Sequence, residues 1–165
     1  MTVLVLASAS KSMKDEKMII LGVDPGKSGA LAFYSPGQDI VYPFDMPVVD
    51  GEVNAAEVAR IIREFKPKFA IIERVHAMPK NGAVSMFNFG FAYGSVRGVV
   101  SGMNIPTHLV TPTTWKRHYK LSSDKEGSRW MAINLWPANT MFGRKKDADR
   151  AEAALIAKYG VLTVR

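Results

Sequence analysis

Four carboxylates stand out by their setting: Asp24, Glu73, Asp149 and Glu152. Asp24 closes a short, almost wholly apolar run over residues 19–23, and Glu73 closes another over residues 69–72. Runs of that kind read as strands buried on both faces. A carboxylate at the end of such a strand is costly to desolvate unless a cation, a hydrogen bond or solvent compensates. Asp149 and Glu152 stand three apart at the start of a helical pattern, so their side chains share one face. Four carboxylates from two strand ends and one helix can hold two Mg2+ or Mn2+ ions. With no cysteine and three histidines in the chain, oxygen ligation suits those ions better than zinc. Each acid also has a plainer reading. Asp24 can cap its own Asp-Pro-Gly turn, and Asp149 and Glu152 can be solvated partners of Lys145, Lys146 and Arg150. Asp147 competes with Asp149 for the position at the helix start.

The elements that position these acids follow from pattern. Pro25-Gly26 and Ser28-Gly29 turn the chain after Asp24, and residues 30–34 return as the second strand of a hairpin. A third strand covers 40–44, and residues 50–54 form a polar link. Asn54 with Glu57 opens a helix whose apolar face is Val58, Ile61, Ile62 and Phe65, stopped at Lys66-Pro67. The strand ending at Glu73 follows that crossover helix, which sets it parallel to a neighbour, most simply the first strand. After a loop over 74–83, a longer helix runs over about 84–101, with Gly90, Gly94 and Gly98 at spacing four. Each glycine costs about 1 kcal/mol against alanine, so the spacing points to close packing against this chain's own sheet or a second subunit. A strand over 105–110 completes an alternating α/β pattern. A short helix then opens at Pro112, another runs to about Trp136, residues 141–146 form a basic loop, and a last helix carries Ala153, Leu155, Ile156 and Tyr159.

Composition bounds the function. The chain has 165 residues, 47% of them apolar, and 22 Lys+Arg against 15 Asp+Glu for a formal charge of +7. That suits one globular unit with a real core and raises the prior for a polyanionic partner, most often nucleic acid. The lack of cysteine excludes a disulfide framework and suits a reducing interior. No stretch approaches the length of a membrane span. Residues 1–17 read as a flexible N-terminal extension, and residues 18–165 as a single domain.

Five motifs in order carry a family resemblance: Gly22-Val23-Asp24-Pro25-Gly26, Ile72-Glu73-Arg74-Val75 before a glycine-containing helix, Pro112 to Lys116, Asp124-Lys125-Glu126, and Asp149-Arg150-Ala151-Glu152-Ala153 running on to Ala157. Together they resemble the RuvC-type Holliday junction resolvases of the RNase H-like superfamily, most closely the phage and prophage branch. The resemblance covers residues 18–160. It implies an α/β, RNase H-like fold, with a central mixed five-stranded sheet and helices on both faces. It implies a nuclease domain over 18–165 that cuts four-way junctions or related branched DNA by Mg2+-dependent phosphodiester hydrolysis, in recombination and repair. Two ions per site, with Mn2+ substituting, would be held by Asp24, Glu73, Asp149 and Glu152, while Lys116 and Lys125 stabilise phosphate charge. Glu152 stands where many relatives have Asp, one methylene shorter.

For substrate contacts, Arg74, Lys80 and the Arg144-Lys145-Lys146 run are expected at phosphates, and His76 is the best wedge or stacking residue. Met86, Phe87, Phe89 and Phe91 stand at helical spacing and are expected mostly as buried packing. The two-fold symmetry of a junction implies a C2 homodimer, with the glycine-spaced helix as its interface. Such an enzyme would work in the cytoplasm, at the nucleoid of a bacterial or phage-infected cell. The rival reading is a non-catalytic RNase H-like module that binds branched DNA or a protein partner.

Overall fold

The computed structural model describes residues 18–76 and 82–163. The extension over 1–17, and Lys80 among the expected phosphate contacts, lie outside the described residues.

Three consecutive strands, β1 (Ile20–Asp24), β2 (Ala30–Ser35) and β3 (Ile40–Asp45), pair antiparallel as a meander. Every residue of β1 and β2 is buried, as their unbroken apolar runs require. Residues 50–54, expected as a polar link, instead hold part of a small hairpin, β4 (Val48–Val49) with β5 (Glu52–Val53), turned by Gly51 at φ +79°. Helix α1 (Ala55–Phe65) starts where Asn54 Oδ1 accepts the Glu57 N–H at 3.1 Å, and buries Val58, Ile61 and Ile62. It returns the chain to β6 (Phe69–Glu73), parallel to β1. Helix α2 (Ala83–Gly102) leads to β7 (Thr107–Val110), parallel to β6 and two residues shorter at its start than the sequence pattern implies. Ala70 instead bonds Pro106 there, and Pro106 has no N–H to continue the ladder.

The sheet order is therefore β3-β2-β1-β6-β7, mixed and five-stranded. Its alternating residues feed two separate cores. Leu21, Val23, Leu31, Phe33, Ala70 and Ile72 face α1 and α2. Ile20, Ala30, Ala32, Phe69 and Ile71 face the other layer. That layer is α3 (Pro112–His118), α4 (Lys125–Leu135) and α5 (Ala148–Tyr159). The basic loop expected over 141–146 is largely two single 3-10 turns, Thr140–Phe142 and Lys145–Asp147. Phe142 anchors the first in the core, and Asp147 ties the second to the N–H of Arg144 at 2.8 Å.

Helix α5 is the most deeply placed, with Ala151 to Ala157 all buried. It can lie so close to β1 because Gly22 faces it. A Cβ on Gly22 would stand 2.2 Å from the Ala153 carbonyl oxygen and 2.4 Å from the Ala157 nitrogen. The partners are backbone, so the clash cannot be relieved by a rotamer change. Gly22→Ala should therefore cost at least about 1–3 kcal/mol, as overpacked cores do, and lower Tm by several degrees. Thermal and urea unfolding of the two proteins measure this.

Candidate active site

Asp24 is the last residue of β1 and Glu73 the last of β6. The register pairs Val23 with Ile72, so the two acids are neighbours at the same end of parallel strands. Both have the parity of Gly22 and Ile71, which points them at α5 rather than α2. Asp149 and Glu152, in the first turns of α5, come down on the same spot. One oxygen from each of Asp24, Asp149 and Glu152 lies within 4.8 Å of the others. The four acids sit in a cavity of about 830 Å³, walled by the Pro25–Gly29 turn, the start of α2 and Pro112.

Polar neighbours fix Glu73, Asp149 and Glu152 in place. Trp115 Nε1 donates to Glu73 Oε1 at 2.8 Å. Glu152 Oε1 accepts from Lys116 Nζ at 2.7 Å and from the buried Ser128 hydroxyl at 3.0 Å. Lys125 Nζ donates to Asp149 Oδ1, and stands 3.7 Å from Glu152 Oε2 and 3.9 Å from Asp24 Oδ2. Asp24 Oδ2 is buried without a hydrogen-bond partner among the described residues.

Burial pushes the Asp24 carboxyl well above the ordinary carboxylate range. Lys125 works against that shift, while Glu73, Glu152 and Asp149 add to it. Glu73 is also raised by burial, against the opposing Trp115 hydrogen bond. Burial works to lower Lys125, but its hydrogen bond to Asp149 and the surrounding carboxylates hold it above its usual value. The site carries four acids against two lysines, which bond Glu152 and Asp149, and Asp24 Oδ2 has no hydrogen-bond partner among the described residues. An all-oxygen donor set with that excess of negative charge fits hard divalent cations such as Mg2+.

Among the expected residues, Asp147 lies outside this cluster. Its carboxylate is held by Arg144 at 2.9 Å and Arg150 at 3.4 Å, and it stays below the usual carboxylate range despite its burial. That bonding pairs Arg144, expected at phosphate, with Asp147, while its side chain stays exposed. Arg74 and His76 are exposed beyond the end of β6, and Lys145 and Lys146 are exposed on the second 3-10 turn. The expectation that the α2 aromatics are mostly buried is overturned. Phe87 is 72% and Phe91 47% exposed, and Met86 and Phe89 are half-buried. The buried side of α2 is Ala92, Val96 and Val100; since apolar residues fall on every side of the helix, periodicity alone does not tell its faces apart. Nor do Gly90, Gly94 and Gly98 pack against other described residues, since a Cβ on any of them would meet none of those within 4 Å.

Three contributors escape the sequence pattern. Trp115 reads as core and is fully buried, yet its indole N–H orients Glu73. Ser128, three residues beyond Lys125 on one helix face, could have been found from that spacing. Phe89 reaches the site by covering Gly26, whose φ of +123° admits no ordinary side chain.

The fold is similar to that of solved structures. A Thermus thermophilus RuvC in complex with a Holliday junction substrate aligns with TM-score 0.64 at 18% identity, over 89% of this chain and 97% of that one. A second Thermus thermophilus RuvC structure aligns with TM-score 0.60 at 17% identity, over 88% and 96%. The yeast mitochondrial Holliday junction resolvase aligns with TM-score 0.50 at 14% identity, over 86% and 76%. No family model and no curated protein matches the chain in sequence. The architecture is thus the RNase H-like one of RuvC, as the sequence motifs imply. Among the described residues, no helix is long and apolar enough to cross a membrane.

The desolvated Asp24 makes a prediction independent of any reaction. In metal-free buffer at neutral pH, Asp24→Asn should raise Tm, by about 2–4 °C for each kcal/mol relieved. A carboxyl raised on folding destabilises above its unfolded pKa, and that cost fades as pH falls toward about 4. The Tm gap between the two proteins should therefore narrow with acidification. Magnesium should raise the Tm of the wild type and leave the variant unmoved. Calorimetry across pH, with and without Mg2+, checks all three.

Proposed function

We propose that this protein is a structure-selective, metal-dependent endodeoxyribonuclease that resolves four-way junctions or related branched DNA by paired phosphodiester hydrolysis. The observation that carries the reading is the convergence of Asp24, Asp149 and Glu152 within 4.8 Å, with Glu73 at the adjoining strand end. Buried acids repel phosphate, so a cluster of them hinders a module that only binds DNA and serves one that uses cations. The formal charge of +7 supports a polyanionic partner. The likeness in fold to RuvC and to the yeast mitochondrial resolvase supports the substrate class and a setting in recombination; a place in the cytoplasm, at the nucleoid of a bacterial or phage-infected cell, is part of the same proposal.

Asp24, Glu73, Asp149 and Glu152 would hold two magnesium ions, manganese substituting. Bound there, the ions supply an activated water and neutralise charge on the phosphate and the leaving 3′ oxygen. The chain's own groups do the rest. Trp115 fixes the Glu73 carboxylate by one oxygen, and Ser128 with Lys116 fixes that of Glu152. Lys116 and Lys125 present ammonium groups at the cavity wall, placed to stabilise negative charge developing on a phosphate. Phe89, which lines the cavity, and His76, exposed three residues beyond Glu73, would offer stacking surfaces to an unpaired base.

On an end-labelled four-way junction with Mg2+, the wild type should make paired symmetric nicks absent from a linear duplex of one arm. Asp24→Asn should lose at least about 10³-fold in cutting rate, the several kcal/mol that metal assistance supplies, while still binding the junction. Tight binding with no cutting in Mg2+ or Mn2+ by the wild type would instead identify a non-catalytic module.

The symmetry of a junction calls for a C2 homodimer. The exposed face of α2, with Val84, Phe87, Phe91, Gly94 and Gly98, is the proposed interface. Stacked Phe87 and Phe91 rings, 6.4 Å apart, supply its apolar part, and the open glycines let a second backbone approach. In sedimentation velocity at micromolar concentration the wild type should run as a dimer, and the Phe87→Glu, Phe91→Glu protein as a monomer. A monomeric wild type overturns this assembly.

A further inference from the structure

Outside the carboxylate cavity, many of the cations are committed to acids. Arg60 bonds Glu57 and Glu64, Arg129 bonds Glu126, Arg150 bonds Asp45, and Lys158 bonds Asp39. Arg117 and Lys120 are among those that are not. Both are exposed, and neither is ion-paired among the described residues. They line a second cavity of about 570 Å³ that runs along α3 to the turn after it, together with Thr113, Ser122 and Ser123. Among the described residues, no carboxylate lines it. It shares Pro112 and Lys116 with the carboxylate cavity, so the two hollows are neighbours with Lys116 standing between them.

The wall is held by a defined turn. Lys120 takes φ +56°, its N–H bonded to the Arg117 carbonyl at 3.0 Å, and the Leu121 N–H closes back on the Lys116 carbonyl at 2.9 Å. A left-handed lysine is uncommon, and here it folds the serines back beside α3. Cations at a helix C-terminus complement its dipole. That accounts for their type, but not for an acid-free hollow rimmed with hydroxyls beside the site. The hollow on the other side of the carboxylates is different. It carries Lys27 and Lys146 but also Asp45, Asp147 and Asp149, so its charge is mixed.

We propose that the hollow along α3 binds a backbone phosphate of the strand being cut, with Arg117 and Lys120 supplying the charge and Ser122 and Ser123 the hydroxyl donors. The scissile phosphate lies over the carboxylates, and the strand passes Lys116 to reach the second hollow. It leaves on this side because the opposite hollow presents carboxylates to a phosphate. Arg117 and Lys120 are thus positioning residues that set where along the strand the cut falls. This inference rests on the nuclease reading.

The test is a chemical double-mutant cycle on the full chain, in the Asp24→Asn background so that the junction stays whole. Neutral methylphosphonates replace single phosphates on either side of the cutting position of a fluorescent four-way junction, and anisotropy reads affinity. One position should weaken binding by the Arg117, Lys120 protein about tenfold, the worth of one charge-assisted contact. Arg117→Ala, Lys120→Ala should bind the unmodified junction more weakly, with the salt slope reduced by about 1–2, and lose nothing more at that position. The charge-keeping Arg117→Lys, Lys120→Arg protein should retain the position's effect, which separates lost charge from damaged folding. Lys68→Ala, at the opposite end of β6, should behave as the parent. If the junction is bound and the wild type cuts it, but every methylphosphonate affects parent and double-alanine proteins equally, this inference falls and the nuclease reading stands. If no DNA is bound or cut, both fall.

Discussion

The contact between Gly22 of β1 and the backbone of α5 at Ala153 and Ala157 is the constraint on which the rest of the structure depends. A helix laid on a sheet normally rests on side chains from both. Here one strand supplies no side chain and the helix supplies methyl groups, so backbones meet. The consequence is geometric. Asp24 is two residues beyond Gly22 on the same strand face, and Glu152 directly precedes Ala153, so the short distance enforced at the glycine carries over to the acids. The run of alanines in α5 serves this approach as much as helix propensity, because a larger residue at Ala153 or Ala157 would lift the helix and part the carboxylates. Gly160 extends the pattern past the end of α5, where a Cβ would meet Ile71 at 2.8 Å and Ile20 at 2.9 Å.

Bringing acids together this tightly is unfavourable on its own. Asp24 is desolvated, and each neighbouring carboxylate raises its cost of ionisation. The fold offsets part of that with fixed donors from the α3–α4 layer: Trp115, Lys116, Lys125 and Ser128 all reach down to the acids. It does not offset all of it, since one Asp24 oxygen stays unsatisfied. A region tuned only for stability would replace these groups with apolar ones of similar shape. The residual cost is better understood as pre-organisation for a cation, whose binding would recover it.

Much of this architecture was legible in the sequence, for reasons that differ by element. β1 and β6 announce themselves because strands buried on both faces need unbroken apolar runs, and the acids ending those runs break the pattern where chemistry would. The step from Asp149 to Glu152 is equally local, fixed by helical spacing. What depends on distant partners was not legible. Asp147 and Asp149 are indistinguishable on paper, and only the approach of Arg144 and Arg150 assigns Asp147 to a structural pair. The exposed phenylalanines of α2 misled because a helix with apolar residues on every side has little contrast between faces; its true inner side is three modest residues. Trp115 was hidden for the opposite reason, since a buried tryptophan satisfies every packing expectation while its single N–H does something else.

The layout of helix ends gives the site a second electrostatic component. The carboxylate cavity is lined by residues from the first turns of α2, α3, α4 and α5: Val84 and Ser85, Pro112, Lys125, and Asp149. Each helix N-terminus carries partial positive charge; those of α3 and α4 are capped by Thr111 and Asp124, and that of α2 has no side-chain cap. Helix starts placed around one hollow add positive potential at its rim. The carboxylates at its floor favour cations. A phosphate diester associated with divalent cations satisfies both fields at once, whereas a free cation or a bare anion satisfies only one. The pairing follows from topology. Parallel β1 and β6 end together, and their ends set the acids where α5 must start, so the negative floor and the positive rim are products of one chain path.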